Sequence, residues 1–208
     1  MHKVGIAIFE GVNEMEVLGV YDLLSSVKVF ENGRPSQELA FSVQLIASSA
    51  EKVFSAHDFP IEPQEIFSNV DHMDVIVIPG GPGARLRKYS DELPIWLAKI
   101  IPAAGYVLSL STAPFILARA GLLKNRRIAV FPQFANEIAL IEPLVKLVTY
   151  ERTVLDASKW ISTSGISCSI DAAIALIERL EGIQAAELAL RRISWPSHID
   201  EIAPLYSS

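Results

Sequence analysis

Residues 106–123, YVLSLSTAPFILARAGLL, combine a strand, a sharp turn and a helix in one stretch. The apolar residues 106–108 favour the centre of a sheet, and hydroxyl side chains then interrupt the run. Pro114 stands where a first helical turn is expected to begin, and Gly121 stands where that helix is expected to stop. Many hydrolases present a nucleophile on such a strand-to-helix turn, so Ser111 is the candidate nucleophile.

The composition of the 208 residues is that of a globular chain, half hydrophobic and a fifth charged. This is enough to bury the core of one domain, expected to span residues 1–208. The net charge of -6 argues against a nucleic-acid partner, since phosphate binding needs clustered Lys and Arg. The one basic cluster, at Arg85, Arg87 and Lys88, is interpreted as a solvated loop.

The single cysteine, Cys168, excludes an internal disulfide and a cysteine-rich metal site. No metal ion and no cofactor is expected. The first eleven residues have too short an apolar run for a signal peptide, and no run reaches the length of a membrane span. A cytoplasmic protein with no membrane partner is the expectation, and Cys168 is interpreted as a small buried thiol.

Strands and helices alternate along the sequence, which predicts an α/β fold with a mostly parallel sheet covered on both sides. Residues 51–65 are mixed and predict short strands with a crossover. Residues 156–158 predict the turn of a hairpin. The predicted strands are residues 4–9, 41–47, 74–78, 106–108, 128–131, 148–155 and 160–163. The predicted helices are residues 14–29, 92–103, 114–120, 133–141, 169–180 and 183–193.

Three loops with unusual chemistry leave strand ends, at residues 10–16, 79–83 and 109–112. Ligands in such sheets bind beyond the carboxyl ends of the strands, so these loops are expected to meet in one cleft. The helix at residues 14–29 is apolar around most of its surface, which favours burial against a second subunit in a homodimer.

Four segments carry a resemblance to a known family: FEGV and EME within residues 9–16, DVIVIPGG at 74–81, SLSTA with LARAGLL within 109–123, and STSGI at 162–166 followed by Asp171. Together they resemble the ThiJ/PfpI superfamily, which has the class I glutamine amidotransferase-like fold. The later segments are most similar to the branch of isonitrile hydratases and AraC-type sensor domains. The resemblance implies a flavodoxin-like three-layer α/β sandwich, usually dimeric, with a nucleophile elbow.

The resemblance also implies a site, and this sequence departs from it. The family's acidic residue is matched by Glu16, but Ser111 stands where the elbow cysteine is expected and Phe131 where a histidine often lies. A serine needs an adjacent base to become a nucleophile. Of the four histidines, only His57 stays open as that base. A deliberate replacement of cysteine would not explain Phe131 or the altered residues 113–114.

Each candidate site residue has two interpretations. Ser111 is either the nucleophile or a small residue in a strained turn, bonded to Glu16. Glu16 is either a site acid or a carboxylate favoured by the helix dipole. The backbone N–H groups of Gly80 and Gly81 either face an oxyanion or bound anion or form an ordinary turn, and Thr112 is the candidate second donor.

Two functions are therefore predicted. The first is a small-molecule-binding or regulatory module with a degenerate active site and lost or altered catalysis. The alternative is a hydrolase or hydratase, amidase-like or isonitrile hydratase-like, that uses Glu16 as acid/base and Ser111 at the elbow. Direct DNA binding is not expected, and redox sensing is poorly supported because the elbow atom is oxygen.

Asp171 is interpreted as a helix cap in preference to a carboxylate at the rim of the site. The tryptophans are interpreted as core or interface residues: Trp96, Trp160 and Trp195.

Overall fold

A computed structural model describes residues 1–31, 33–157 and 159–195 of the chain. The strands are β1 (His2–Ala7), β2 (Lys28–Glu31), β3 (Arg34–Leu39), β4 (Phe41–Ala47), β5 (Val53–Phe54), β6 (Pro60–Ile61), β7 (Glu65–Ile66), β8 (Val75–Ile78), β9 (Tyr106–Leu110), β10 (Arg127–Ala129), β11 (Lys146–Val148), β12 (Thr153–Asp156) and β13 (Trp160–Thr163). The helices are α1 (Glu14–Ser25), α2 (Pro82–Leu86), α3 (Glu92–Ile100), α4 (Pro114–Arg119), α5 (Ala135–Ile141), α6 (Cys168–Glu181) and α7 (Ile183–Arg192). Short 3₁₀ turns cover Phe67–Asn69 and Pro132–Phe134.

The central sheet has seven strands in the order β12-β13-β9-β8-β1-β4-β7. Every neighbouring pair is parallel except the hairpin of β12 and β13. At the centre of the sheet, β8 is a continuous apolar run, and β1 and β9 are buried over most of their length, as expected for a sheet covered on both faces. The predicted α/β fold with a mostly parallel sheet is confirmed.

Helices cover both faces of this sheet. On one side α1 packs against β4 and α6, and α6 packs against β13 and α7. In the second helical layer α4 packs against α2, α3 and α5. The three tryptophans belong to this core: Trp160 is fully buried, Trp96 stacks on Phe67 with ring centroids 4.6 Å apart, and Trp195 packs against the core edge.

Several predicted boundaries were wrong. The helix expected at residues 14–29 ends at Ser25, because β2 and β3 then form a separate antiparallel ribbon. The strand expected at residues 148–155 is two strands, of which β11 pairs with β10 outside the central sheet. A short helix, α2, occupies part of the expected turn and basic loop. Among the helices of the described residues, none has both the length and the apolar character needed to cross a membrane.

Candidate ligand site at the elbow

Ser111 joins β9 to α4 in a strained conformation. Its φ is 50°, in the left-handed region that a residue with a Cβ rarely adopts. Backbone groups hold it there from both sides: its N–H donates to the carbonyl of Thr163 in β13 at 3.0 Å, and its carbonyl accepts from the N–H of Phe131, just after β10, at 3.3 Å. The side chain is 5% exposed. The sequence therefore does build the strained elbow that it predicts.

Glu16 lies in the first turn of α1 and is fully buried. Asn13 caps that helix, since its Oδ1 accepts from the Glu16 N–H at 3.2 Å. Glu16 Oε2 accepts from the Gly80 N–H at 2.5 Å. Glu16 Oε1 is buried without a hydrogen-bond partner among the described residues. The carboxyl group is thus fixed at one oxygen and unsatisfied at the other.

Burial raises the pKa of Glu16 to about 8, because an ionised carboxylate is strongly disfavoured away from water. The Gly80 N–H and the Ser111 side chain both lower that pKa, but burial dominates. No hydrogen bond joins the Ser111 hydroxyl to Glu16 Oε1, which stays without a partner among the described residues. At neutral pH most Glu16 is protonated, so it is an acid and not a base.

The turn after β8 brings Gly80 and Gly81 against neighbouring backbone. A Cβ on Gly80 would lie 2.7 Å from the Thr112 nitrogen, and a Cβ on Gly81 would lie 2.4 Å from the Gly11 carbonyl oxygen. Gly81 also has a φ of 126°, which a side chain would strain. Glycine is thus required at both positions by close packing.

The backbone donors of this turn are mostly used within the protein. The Gly80 N–H donates to Glu16, and the Gly81 N–H donates to Thr112 Oγ1 at 2.8 Å. Thr112 Oγ1 donates in return to the Gly81 carbonyl at 3.1 Å. In residues 1–31, 33–157 and 159–195, the Thr112 N–H has no partner. The predicted role in binding an oxyanion or anion therefore rests on Thr112.

A cavity of about 240 Å³ opens beside the elbow. Its walls come from the N-cap of α1, the glycine turn with α2, the elbow between β9 and α4, the segment after β10 and the loop before α6. Most of the lining is apolar, and the polar lining residues are few. The lining residues are Asn13, Gly81, Pro82, Arg85, Leu86, Ser111, Thr112, Phe131, Phe134 and Ile166.

Phe131 occupies the cavity wall where the resemblance leads one to expect an imidazole. It packs against Phe134 with ring centroids 5.8 Å apart. The Arg85 guanidinium lies 5.0 Å from the Phe134 ring and donates from Nε to Glu137 at 2.9 Å. Arg85 is therefore part of the cavity wall, and its interpretation as one residue of a solvated loop was wrong.

The histidines of the described residues lie elsewhere. His57 Nδ1 is 2.5 Å from Glu14 Oε1, His72 pairs with Asp74 and His2 pairs with Glu181. None of these three histidines lines the cavity. His198 lies outside the described residues. His57, the histidine that the sequence leaves open as a base for Ser111, is thus engaged with another carboxylate.

Two residues of α6, Cys168 and Asp171, were also interpreted from the sequence, one correctly and one wrongly. Cys168 is a free, buried thiol, as expected. Asp171 does not cap α6: it is buried and its carboxylate pairs with the guanidinium of Arg152 at 2.6 Å. Burial raises the pKa of Asp171, and Arg152 opposes that rise. The interpretation of Asp171 as a cap was wrong, because its side chain turns to a cation on the preceding segment.

Sequence reasoning missed six of the wall residues: Asn13, Pro82, Arg85, Leu86, Phe134 and Ile166. One signal was available, since Pro82 directly after two glycines is typical of a first helical position and indicates α2. That helix would have placed Arg85 beside the glycine turn. No group of three or more His, Cys, Asp and Glu side chains suited to a metal ion occurs in the described part of the chain.

Comparisons with known proteins agree with this geometry. Residues 2–179 match the DJ-1/PfpI family, and the chain belongs to that family. The isonitrile hydratase of Pseudomonas putida is 24% identical over 193 residues, covering 93% of this chain and 78% of the relative. Two solved structures have the same fold. A THiJ/PfpI family protein from Pseudomonas syringae has a TM-score of 0.80 at 20% identity, covering 95% of this chain and 76% of its own. An AraC family transcriptional regulator from Pseudomonas putida has a TM-score of 0.75 at 18% identity, and the match covers 93% of this chain and 100% of the regulator's chain.

Proposed function

We propose that this protein is a small-molecule-binding module in which the elbow of the DJ-1/PfpI fold binds a ligand and its catalysis is lost or altered. One observation carries the proposal. An open cavity of about 240 Å³ leads to Ser111, but the neighbouring carboxyl group of Glu16 is protonated at neutral pH. The site keeps its shape and lacks a base.

A serine hydroxyl attacks only when a neighbouring group removes its proton. A carboxylic acid that already carries its proton cannot do so, and the three described histidines pair with Glu14, Asp74 and Glu181 instead. The strain at Ser111 is consistent with an inherited elbow. What remains is a concave, mostly apolar surface with a few free hydrogen-bonding groups, which is what a binding pocket requires.

Differential scanning fluorimetry against a panel of small metabolites tests this proposal. A ligand present at about 100 times its dissociation constant stabilises the folded state by about 2.7 kcal/mol, so the melting temperature rises measurably. The expected result is stabilisation by at least one compound that mass spectrometry then recovers unchanged. A panel in which no compound raises the melting temperature would count against a binding function, and turnover that requires Ser111 would count against lost catalysis.

A second candidate is hydration of a small carbon–nitrogen compound, and the protonated state of Glu16 favours it. An isonitrile is activated when its terminal carbon is protonated, and Glu16 is an acid beside the cavity. Water then bonds to that carbon, one water proton returns to Glu16, and the other moves to nitrogen to give an N-substituted formamide. No covalent bond to Ser111 is needed. The similarity to an isonitrile hydratase supports this reaction class.

The two variants Glu16→Gln and Ser111→Ala separate these candidates in an assay of isonitrile consumption. Hydration requires that Glu16→Gln abolishes turnover while Ser111→Ala reduces it only mildly. Consumption that survives both substitutions would refute hydration at this site. No consumption by the unsubstituted protein, together with ligand stabilisation, would favour the binding module.

A further inference from the structure

The polar groups that line the elbow cavity are mostly hydrogen-bond donors without partners. Asn13 Oδ1 already accepts from the Glu16 N–H, which leaves its amide Nδ2 free to donate. The Thr112 N–H has no partner in the part of the chain that the structure describes, whereas Thr112 Oγ1 both accepts and donates in its pairing with Gly81. The Ser111 hydroxyl can serve in either sense. The cavity therefore offers donors for an acceptor on a ligand.

The acceptors in the same wall are taken. The Ser111 carbonyl accepts from the Phe131 N–H, and the Phe131 carbonyl accepts from the Phe134 N–H. The Thr112 carbonyl accepts from the Phe115 N–H. A ligand that arrives with donors alone would find few partners, and its desolvation would be uncompensated. This asymmetry selects a ligand rich in acceptors.

Arg85 adds a positive charge to this donor-rich wall. Only its Nε is engaged, with Glu137, so its two Nη groups have no partner among the described residues. The side chains of Arg85 and Glu137 are both about two-fifths exposed, so solvent weakens their pairing. No carboxylate belongs to the lining itself, and Glu16 behind it is mostly neutral near pH 7. Among the described residues, the cavity lining therefore carries one positive side chain, Arg85, and no negative one.

The rest of the cavity lining consists of apolar side chains. The apolar side chains of Phe131, Phe134, Leu86 and Ile166 all line the cavity. Leu86 and Ile166 are 56% and 40% exposed, so both keep apolar surface in contact with water. A ligand with an apolar body would cover them and gain the burial free energy that they now lack.

We propose that the elbow cavity binds a small carboxylate with an apolar body. The carboxylate faces the donors of Asn13, Ser111 and Thr112, with Arg85 supplying the compensating charge. The aromatic or branched body lies between Phe131 and Phe134. This inference rests on the proposed binding function and narrows it to a ligand class.

Matched pairs of compounds test the inference by isothermal titration calorimetry of the full chain at pH 7. Each pair shares one body and differs only in the head group: benzoate and benzamide, phenylacetate and phenylacetamide, isovalerate and isovaleramide. We expect the carboxylate of at least one pair to bind at least tenfold more tightly than its carboxamide. Such a ratio reflects charge and donor recognition, since the bodies are the same.

Three variants locate the recognition. Arg85→Met removes the guanidinium that lies over Phe134 and keeps an unbranched apolar side chain. It is expected to weaken carboxylate binding about tenfold while changing carboxamide binding less than twofold. Asn13→Ser keeps a capping oxygen for α1 and removes the amide donor, so it is expected to weaken carboxylate binding severalfold. Arg87→Met is the control. It removes the same charge as Arg85→Met, but Arg87 pairs with Asp91 and lies outside the cavity lining.

The outcomes separate this inference from the function on which it rests. Equal affinities within each pair, tighter binding of the carboxamides, or an equal loss for both head groups in Arg85→Met would overturn the carboxylate assignment and leave the binding function standing. If all six compounds fail while the metabolite panel yields a ligand without a carboxylate, the assignment is again refuted. If the panel yields no ligand either, the proposed function itself fails.

Discussion

Replacing Glu16 by glutamine tests the electrostatic state of the site through protein stability. The folded protein raises the pKa of Glu16 from 4.5 to about 8 by burying the carboxyl group, while the unfolded chain leaves it near its ordinary value. The folded state therefore binds more protons than the unfolded state between these two pH values. Stability is fully present below pH 4.5, falls as the pH rises toward 8 and levels off above it.

The magnitude follows from the two pKa values. One pKa unit corresponds to about 1.4 kcal/mol, so the ionised carboxylate costs on the order of 5 kcal/mol above pH 8 relative to the protonated acid. Glutamine stays neutral at every pH and keeps an oxygen to accept from the Gly80 N–H. Glu16→Gln should therefore match the unsubstituted protein within about 1 kcal/mol at pH 5 and exceed its stability by several kcal/mol at pH 9.

Urea denaturation at pH 5, 6, 7, 8 and 9, followed by tryptophan fluorescence, measures this difference. The matched control is Glu14→Gln in the same helical turn. Burial opposes ionisation of Glu14, but a backbone hydrogen bond and then His57 hold its pKa below the ordinary value. Its contribution is therefore stabilising at neutral pH and is lost as the solution becomes acidic. Parallel stability profiles for Glu16→Gln and the unsubstituted protein across pH 5–9 would refute the reasoning that Glu16 is a buried neutral acid.

Three further predictions concern the scaffold. Gly83→Ala should cost at least about 3 kcal/mol because its Cβ would lie 1.9 Å from the Glu10 carbonyl oxygen. Gly121→Ala should cost only about 1 kcal/mol, since it is strained by a φ of 71° with open space around it; equal costs by chemical denaturation would contradict both. Arg152→Met should lower the free energy of unfolding by about 2–3 kcal/mol by removing the cation that faces buried Asp171, and an unchanged urea midpoint would contradict that pairing. Met15 and Leu18 leave an apolar surface on α1, so light scattering of the unsubstituted protein should give the mass of a dimer. The double variant Met15→Glu, Leu18→Glu should give the mass of a monomer. A monomer mass for the unsubstituted protein would refute the dimer.

The sequence predicts the elements whose patterns are local and strong. The run in β8 is wholly apolar, which favours a strand buried on both faces. In β4 apolar and polar residues alternate at first, which is also typical of a strand. The elbow is marked by Pro114 and Gly121 at the positions where a helix begins and ends. The short helix α2 carries only one such mark, Pro82 at its first position, and the two glycines before it favour a turn. The end of α1 was misplaced because the ribbon that follows is stabilised by β3, which lies further along the chain.

Several residues of the site could be predicted from the sequence, but the hydrogen bonds and the protonation state of Glu16 could not. Glu16, Ser111 and Thr112 meet at one edge of the sheet, as the loops after parallel strands require. The sequence could not reveal that the Gly80 N–H is taken by Glu16, since that bond joins residues 64 apart. The raised pKa of Glu16 has the same origin, because burial depends on the packing of all the layers. The cation Arg85 was missed because its place in the wall depends on α2.

The central claim is that Ser111 is held at a strained elbow without being an activated nucleophile. Phenylmethanesulfonyl fluoride tests it most directly, because its aromatic body suits the apolar cavity and its sulfonyl group is captured by activated serines. Intact mass spectrometry after prolonged incubation at pH 7 should show the unmodified mass for both the unsubstituted protein and Ser111→Ala. A stoichiometric sulfonyl adduct that forms on the unsubstituted protein and is absent from Ser111→Ala would contradict the account.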